Sequence, residues 1–324
     1  MPPADRNTPI RAASSDSQYS LMEFMREFPD DASCLEHLWR TRYSADGTHA
    51  TCPKCDRERV FRRYQTKQGR QSWTCTGCGH HVHPTAGTIF HKSSTSLHLW
   101  YYAMYLIAST KCGISAKHLG RELGVNYRTA WRMFNKIRNE LMTQDDEQLS
   151  GEVEVDETWW GGKPRRGDIL KHRKPGETDL SGAGGRWHHA KHTTVFGMVE
   201  RGGKVRAYTV KDRKAATLQR EVVQFVLPRS TIFTDDWPAY TGLDARYTHH
   251  RIRHTEKVYV SGDVHTQTIE GFFSNLKRGI AGNYHSVSSK WLQGYLNEFA
   301  WRYNHRDDDR AMFQTLALRA AQPD

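Results

Sequence analysis

The sequence has no apolar stretch long enough to cross a bilayer. Its longest apolar run, around Leu97–Ala108, contains His98 and falls short of the ~20 residues a span needs. A signal-peptide core is also missing, because Met1 to Ser20 is polar and rich in Pro, Ser and Asp. No membrane partner and a cytoplasmic location are expected on these two counts. Cysteine is too sparse for a disulfide scaffold: there are six, and four of them form two CxxC pairs, a pattern that without a secretion signal reads as metal binding. Acidic residues are in deficit, 36 against 47 Lys and Arg, for a net charge of +11. A surplus of that sign suits a polyanionic partner, nucleic acid above all.

What is present divides the 324 residues into segments. Residues 1–18 read as a disordered tail. Residues 19–92 carry two short helices broken at Pro29, then Cys52-Pro-Lys-Cys55 and Cys75-Thr-Gly-Cys78. Nineteen residues, 56–74, separate the pairs. Two such knuckles flanking a hairpin make a zinc ribbon, with Cys52, Cys55, Cys75 and Cys78 as four thiolate ligands to one structural Zn²⁺. Arg62, Arg63, Lys67 and Arg70 make the ribbon basic and suit phosphate contact.

Residues 93–142 hold an apolar helix at 97–109 and a helix-turn-helix pattern. Ser115 caps its first helix, Gly124 permits the turn, and Asn126 or Tyr127 opens a second helix bearing Arg128, Arg132, Lys136 and Arg138. Its buried side is expected at Ala130, Trp131, Phe134 and Ile137. Residues 143–150 are polar and acidic and read as a linker.

From 151 to 310 the pattern becomes α/β. Val153–Thr158 alternates as a strand with Glu154 and Asp156 on one face. A basic insertion at 159–192 includes Lys163, Arg165 and Arg166, and its charge suits DNA. Two strands joined at Arg201-Gly202-Gly203, a helix from Ala215 to Phe225, a short strand ending at Asp235 and another at 249–254 follow. A helix comes next, with Ile269, Phe272, Phe273 and Leu276 on one side and Glu270, Ser274 and Lys277 at i, i+4 and i+7 on another. Thr266 or Thr268 is expected to cap it and Gly279 to end it. Residues 311–324 read as a C-terminal tail.

This element order is that of a ribonuclease-H-like domain, a mixed five-stranded sheet with flanking helices. In that architecture the first and fourth strands end side by side, and a later helix lays an acidic residue across them. Asp156, Asp235 and Glu270 stand where the carboxylates are needed. Three such groups can cage two Mg²⁺ (or Mn²⁺) ions for phosphodiester chemistry, and Lys277 can reach a phosphate near the site. Asp236 competes with Asp235, and Glu154 or Glu157 with Asp156.

The sequence resembles the ISXO2-like DDE transposases of the IS1595 family. The likeness runs through Phe28-Pro29-Asp30, both knuckles, Gly87-Thr88-Ile89-Phe90, Val155-Asp156-Glu157, Thr234-Asp235, and Ile269 to Gly279. The resemblance implies catalytic carboxylates at Asp156, Asp235 and Glu270, with Lys277 as the associated lysine. It implies an enzyme that binds transposon ends as double-stranded DNA, cuts to free 3′-hydroxyls and joins them to target DNA. Arg278 next to Lys277 belongs to the expected DNA surface. A homodimer or larger assembly is expected, because two ends must be paired, and so is a place at the nucleoid of a bacterium. The competing reading is a zinc-ribbon and helix-turn-helix regulator whose ribonuclease-H-like domain is only a scaffold.

Overall fold

The computed structural model describes residues 19–65, 71–161, 192–252 and 265–322. The expected tail at 1–18, the expected contacts Lys67 and Arg70, and Lys163, Arg165 and Arg166 of the insertion lie outside the described residues. Two compact units result: residues 1–142 with 305–324, and residues 143–304. No helix among the described residues is long and apolar enough to cross a membrane.

The first unit begins with α1 (Leu21–Glu27) and α2 (Asp31–Arg42). Asp30 caps α2: its carboxylate accepts from Ser33 N, and Ser33 closes the capping box. A four-stranded antiparallel sheet follows in the order β1 (His49–Thr51), β2 (Glu58–Gln65), β3 (Gln71–Cys75), β4 (His81–Val82). Trp39 of α2 stacks on Trp73 of β3 with centroids 4.9 Å apart, which seats the sheet on the helix. Such a stack adds about 0.5–1.5 kcal/mol to the area buried.

Next come α3 (Leu97–Ser109), α4 (Ala116–Glu122) and α5 (Tyr127–Lys136), the last two joined through Gly124 at φ 64°. Side chains of Ser115 and Asn126 cap α4 and α5. Two expectations for α5 change. Met133 is buried with Ala130 and Phe134, whereas Trp131 is half-exposed and stacks along Tyr127. Arg138 is not on the basic face: it is 1% exposed, its guanidinium 3.5 Å from the Phe134 ring centroid.

Residues 311–324, expected as a tail, contain helix α9 (Met312–Ala320), which belongs to this first unit. Phe313 lies 5.2 Å from Tyr19 and 5.3 Å from Phe24, within the aromatic core that also holds Phe28, Tyr101 and Tyr105. The sequence hides this because the partners of Phe313 lie some 200 or more positions away.

The second unit is a mixed five-stranded sheet in the order β7-β6-β5-β8-β9, as expected: β5 (Glu152–Trp160), β6 (Thr193–Glu200), β7 (Val205–Val210), β8 (Thr231–Asp235), β9 (Thr248–Ile252). β5, β6 and β7 form an antiparallel meander, and β8 and β9 run parallel to β5. Helix α6 (Ala215–Phe225) covers one face, where Val153, Val155 and Ile232 meet Leu218 and Val222. Helices α7 (Gln267–Gly279) and α8 (Ser289–Asn304) cover the other, where Val195 and Val199 meet Ile269, Phe273 and Leu296. Residues 143–150 are not a free linker. Gln144 exchanges hydrogen bonds with Ala207 N and O on β7, and Leu149 is buried beside Val226.

Candidate active site and cysteine cluster

β5 carries two sets of side chains because successive residues alternate faces. Val153, Val155 and Glu157 face α6. Glu154, Asp156 and Thr158 face α7, and their cross-strand partners on β6 are Val199, Gly197 and Val195. The parallel register of β5 on β8 pairs Glu152 with Thr231, Val153 with Ile232 and Glu154 with Phe233. Asp156 and Asp235 each lie two residues beyond the last of these pairs.

Glu154 is fully buried and organises this face. Its carboxylate accepts from Thr268 N at 2.8 Å, Ile269 N at 3.0 Å and Thr268 Oγ1 at 2.9 Å. Arg201 Nε donates to it at 2.8 Å and His265 Nδ1 lies at 3.1 Å. The cap of α7 therefore comes from a strand over a hundred residues away. The expected local caps do not serve: Thr266 caps no backbone group and instead donates to Glu270 Oε1 at 3.0 Å. A carboxylate at a helix N-terminus satisfies orphan N–H groups and complements the helix dipole.

Gly279 is the last residue of α7, as expected, and a π-turn over Ile280–Tyr284 follows it directly. A Cβ at Gly279 would lie 2.3 Å from Cζ of Phe299, so this glycine admits α8. Gly197 does the same for α7: a Cβ there would lie 2.7 Å from Cζ of Phe273 and 2.8 Å from Cδ1 of Ile269. These two residues bracket Glu270, and Gly197 is the cross-strand partner of Asp156.

Burial pushes the Asp156 carboxyl up to about 7, with Glu157 next in effect and Asp235 and Glu270 adding to it; the Glu157 N–H bonded to Oδ1 at 2.8 Å opposes them. Asp235 and Glu270 thus both act on Asp156. Asp235 Oδ1 accepts from Trp237 N at 3.1 Å. Glu270 and Lys277 are exposed on α7, and Lys277 Nζ donates to Thr158 Oγ1 at 2.6 Å, two residues beyond Asp156 on the same face. Of the competing acids, Glu154 caps α7, Glu157 is taken by Arg213 and Tyr240, and Asp236 is exposed. Sequence reasoning passed over the anchoring role of Glu154. The alternation that put it on the face of Asp156 was the available signal.

In the first unit the ligand atoms of Cys52, Cys55, Cys75 and Cys78 all lie within 4.8 Å of one another, with Cys52 Sγ 3.6 Å from Cys78 Sγ. Four converging thiols fit one tetrahedral zinc with no open position. Arg62 and Arg63 line a concavity of about 740 Å³ with Tyr64, Thr74 and His81, and the Arg63 guanidinium holds Gln71. A second concavity, of about 600 Å³, is lined by Asn126, Tyr127, Arg128, Thr129 and Arg132. Lys136 lies away from it, paired with Glu140 at 3.3 Å, and Arg278 is exposed on α7 beside Asn275.

Residues 148–304 match the family model of the ISXO2-like transposase domain. An uncharacterized protein in transposable element ISH50 of Halobacterium salinarum is 30% identical over 261 residues, 78% of this chain and 84% of the relative. An uncharacterized transposase-like protein of Haemophilus influenzae is 27% identical over 105 residues, 32% of this chain and 84% of the relative. A chain of the simian T-cell lymphotropic virus intasome in complex with PP2A regulatory subunit B56 gamma is 12% identical at a TM-score of 0.29, covering 62% of this chain and 65% of that one; a likeness that remote carries no argument. On the domain match and the Halobacterium relative, the chain belongs to the ISXO2-like transposase family.

Proposed function

We propose that the protein is a DDE transposase that binds the ends of its element, cuts one strand to free a 3′-hydroxyl and joins that end to target DNA at the same site. One observation carries the reading: Asp156 and Asp235 each follow by two residues the last paired positions, Glu154 and Phe233, of adjacent parallel strands, and Glu270 rides a helix whose start is anchored on Glu154. Asp156, Asp235 and Glu270 offer the hard carboxylate oxygens that divalent cations take, and burial, with Glu157, Asp235 and Glu270 adding to it, raises the Asp156 carboxyl in the absence of a cation. Bound Mg²⁺ or Mn²⁺ would activate the attacking oxygen and neutralise charge on the leaving one.

The chain's own residues do the rest. Glu154 and Arg201 fix the start of α7 and hence the reach of Glu270. Lys277, set by Thr158, contacts a phosphate beside the scissile bond. The zinc ribbon, with Arg62 and Arg63, and the α4–α5 helix-turn-helix, through Asn126, Tyr127, Arg128, Arg132 and Lys136, grip duplex DNA. Arg278 extends that grip along α7. Pairing two ends calls for a dimer or a larger assembly.

The test uses plasmid DNA bearing the element's terminal repeats, incubated with protein and Mg²⁺. Metal-dependent nicking and a joined product are expected. Binding without nicking would make the protein a regulator, and nicking without joining would make it a nuclease.

A further inference from the structure

Backbone pairing between β5 and β8 ends at Glu154 and Phe233, two residues short of both Asp156 and Asp235. A second connection takes over from there, on the α6 face of the sheet. Glu157 is its centre. Its side chain is 2% exposed, its backbone N–H donates to Asp156 Oδ1 at 2.8 Å, and its carboxylate accepts from the Tyr240 hydroxyl. Tyr240 closes the turn that leaves β8. Its N–H donates to Trp237 O at 3.1 Å, and the Trp237 N–H donates to Asp235 Oδ1 at 3.1 Å. Two proposed metal ligands on adjacent strands are therefore joined through Glu157, Tyr240 and Trp237.

The connection is held on both sides. Gln219 of α6 donates through Nε2 to Ala239 O and Thr241 O, each at 2.8 Å, which pins the turn on either side of Tyr240. Burial and Glu157 push the Tyr240 phenol well above its ordinary pKa, with Asp156 and Asp235 adding to it, so the hydroxyl stays protonated and donates. Arg213 Nε donates to Glu157 Oε1 at 2.9 Å and balances its charge. Stability alone does not call for such a group, because a buried ion pair gains little over well-packed apolar side chains of the same volume. What it supplies is position, since charged hydrogen bonds fix both distance and direction. We propose that Glu157 and Tyr240 are positioning residues that hold Asp156 at the spacing from Asp235 which the divalent cations require. This rests on the reading that those carboxylates bind metal. Neither residue is a ligand; both act through Asp156 and the turn after Asp235.

The experiment measures Mn²⁺ binding to the full chain from the electron paramagnetic resonance signal of free Mn²⁺, with the Tm in EDTA recorded for each protein. Tyr240→Phe keeps the ring, removes the hydroxyl and should weaken Mn²⁺ binding about tenfold or more. Glu157→Asp keeps the charge, shortens its reach and should weaken binding comparably. Tyr247→Phe is the control. Its hydroxyl donates to Val226 O at 3.0 Å in the same core, but beside the start of β8 rather than its end. It should lower the Tm about as much as Tyr240→Phe does and leave Mn²⁺ binding as in wild type. Asp156→Asn should lose Mn²⁺. If wild type binds no Mn²⁺, or Asp156→Asn binds it as wild type does, the metal-site reading fails and this inference with it. If Asp156→Asn loses Mn²⁺ while Tyr240→Phe and Glu157→Asp bind it as Tyr247→Phe does, the positioning role alone is overturned.

Discussion

Gly197 is the cross-strand partner of Asp156, and it is also the floor on which Ile269 and Phe273 rest. The residue opposite a proposed metal ligand thus sets how closely the helix carrying another can approach. A methyl group at Gly197 must displace Phe273, Ile269 or the helix. Gly197→Ala is expected to cost about 1–3 kcal/mol in urea unfolding. Joining activity should fall at least tenfold, because a shift of an ångström at Glu270 misplaces a ligand.

Asp156 is expected to destabilise the metal-free protein. Its carboxyl is raised from 3.8 to about 7 in the fold, so the unfolded chain releases that proton first as pH rises. Stability from this group is therefore full below about pH 4, declines through pH 4–7, and stays low above. The shift sets an upper bound near 4 kcal/mol at about 1.4 kcal/mol per unit. Asp156→Asn should raise stability at pH 7.5 in EDTA by about 1–3 kcal/mol and flatten the pH dependence over that window. Adding Mg²⁺ should raise the Tm of wild type and leave that of the variant unmoved.

The Glu154–Arg201 pair is expected to behave unlike the surface pairs. Glu154→Ala leaves Arg201 and two helix N–H groups facing an apolar region, at a cost of about 3–5 kcal/mol in chemical unfolding. Glu140→Ala, which breaks the half-exposed pair with Lys136, should cost about 0.5 kcal/mol or less. Equal effects would remove Glu154 as the anchor of α7.

For the cysteine cluster, purified wild-type protein is expected to hold about one zinc per chain by elemental analysis. Cys52→Ser and Cys75→Ser should lose it. Trp39 and Trp73 stack in the ribbon core beside these cysteines, so the near-UV circular dichroism of both variants should drop with the metal. Unchanged zinc content and spectra would count against a structural ion.

The legible parts of this chain are those governed by local pattern. Two CxxC spacings foretold four converging thiols, and alternation along 153–158 placed Asp156 opposite Val153 and Val155. The i, i+4, i+7 spacing put Glu270 and Lys277 on one exposed face of α7. What stayed hidden depends on partners distant in sequence. Glu154 looked like a rival to Asp156, but the N–H groups it serves lie at 268 and 269. Gly279 does close α7, yet the contact that demands a glycine there is with Phe299. Arg138 looked like part of a basic face, although the π-turn that follows α5 (Ile137–Leu141) holds it inward over Phe134. The helix within 311–324 stayed hidden because Phe313 packs on rings some 200 or more positions away.

The central claim is that Asp156, Asp235 and Glu270 act as one metal-holding site. The most direct measurement is the joining of pre-cut element ends to target DNA in Mg²⁺ by Asp156→Asn, Asp235→Asn and Glu270→Gln proteins, each first checked for wild-type affinity toward the ends. Each substitution should lower joining by at least about 100-fold, as loss of several kcal/mol of charge stabilisation requires. Wild-type joining by any one of the three would take that residue out of the site.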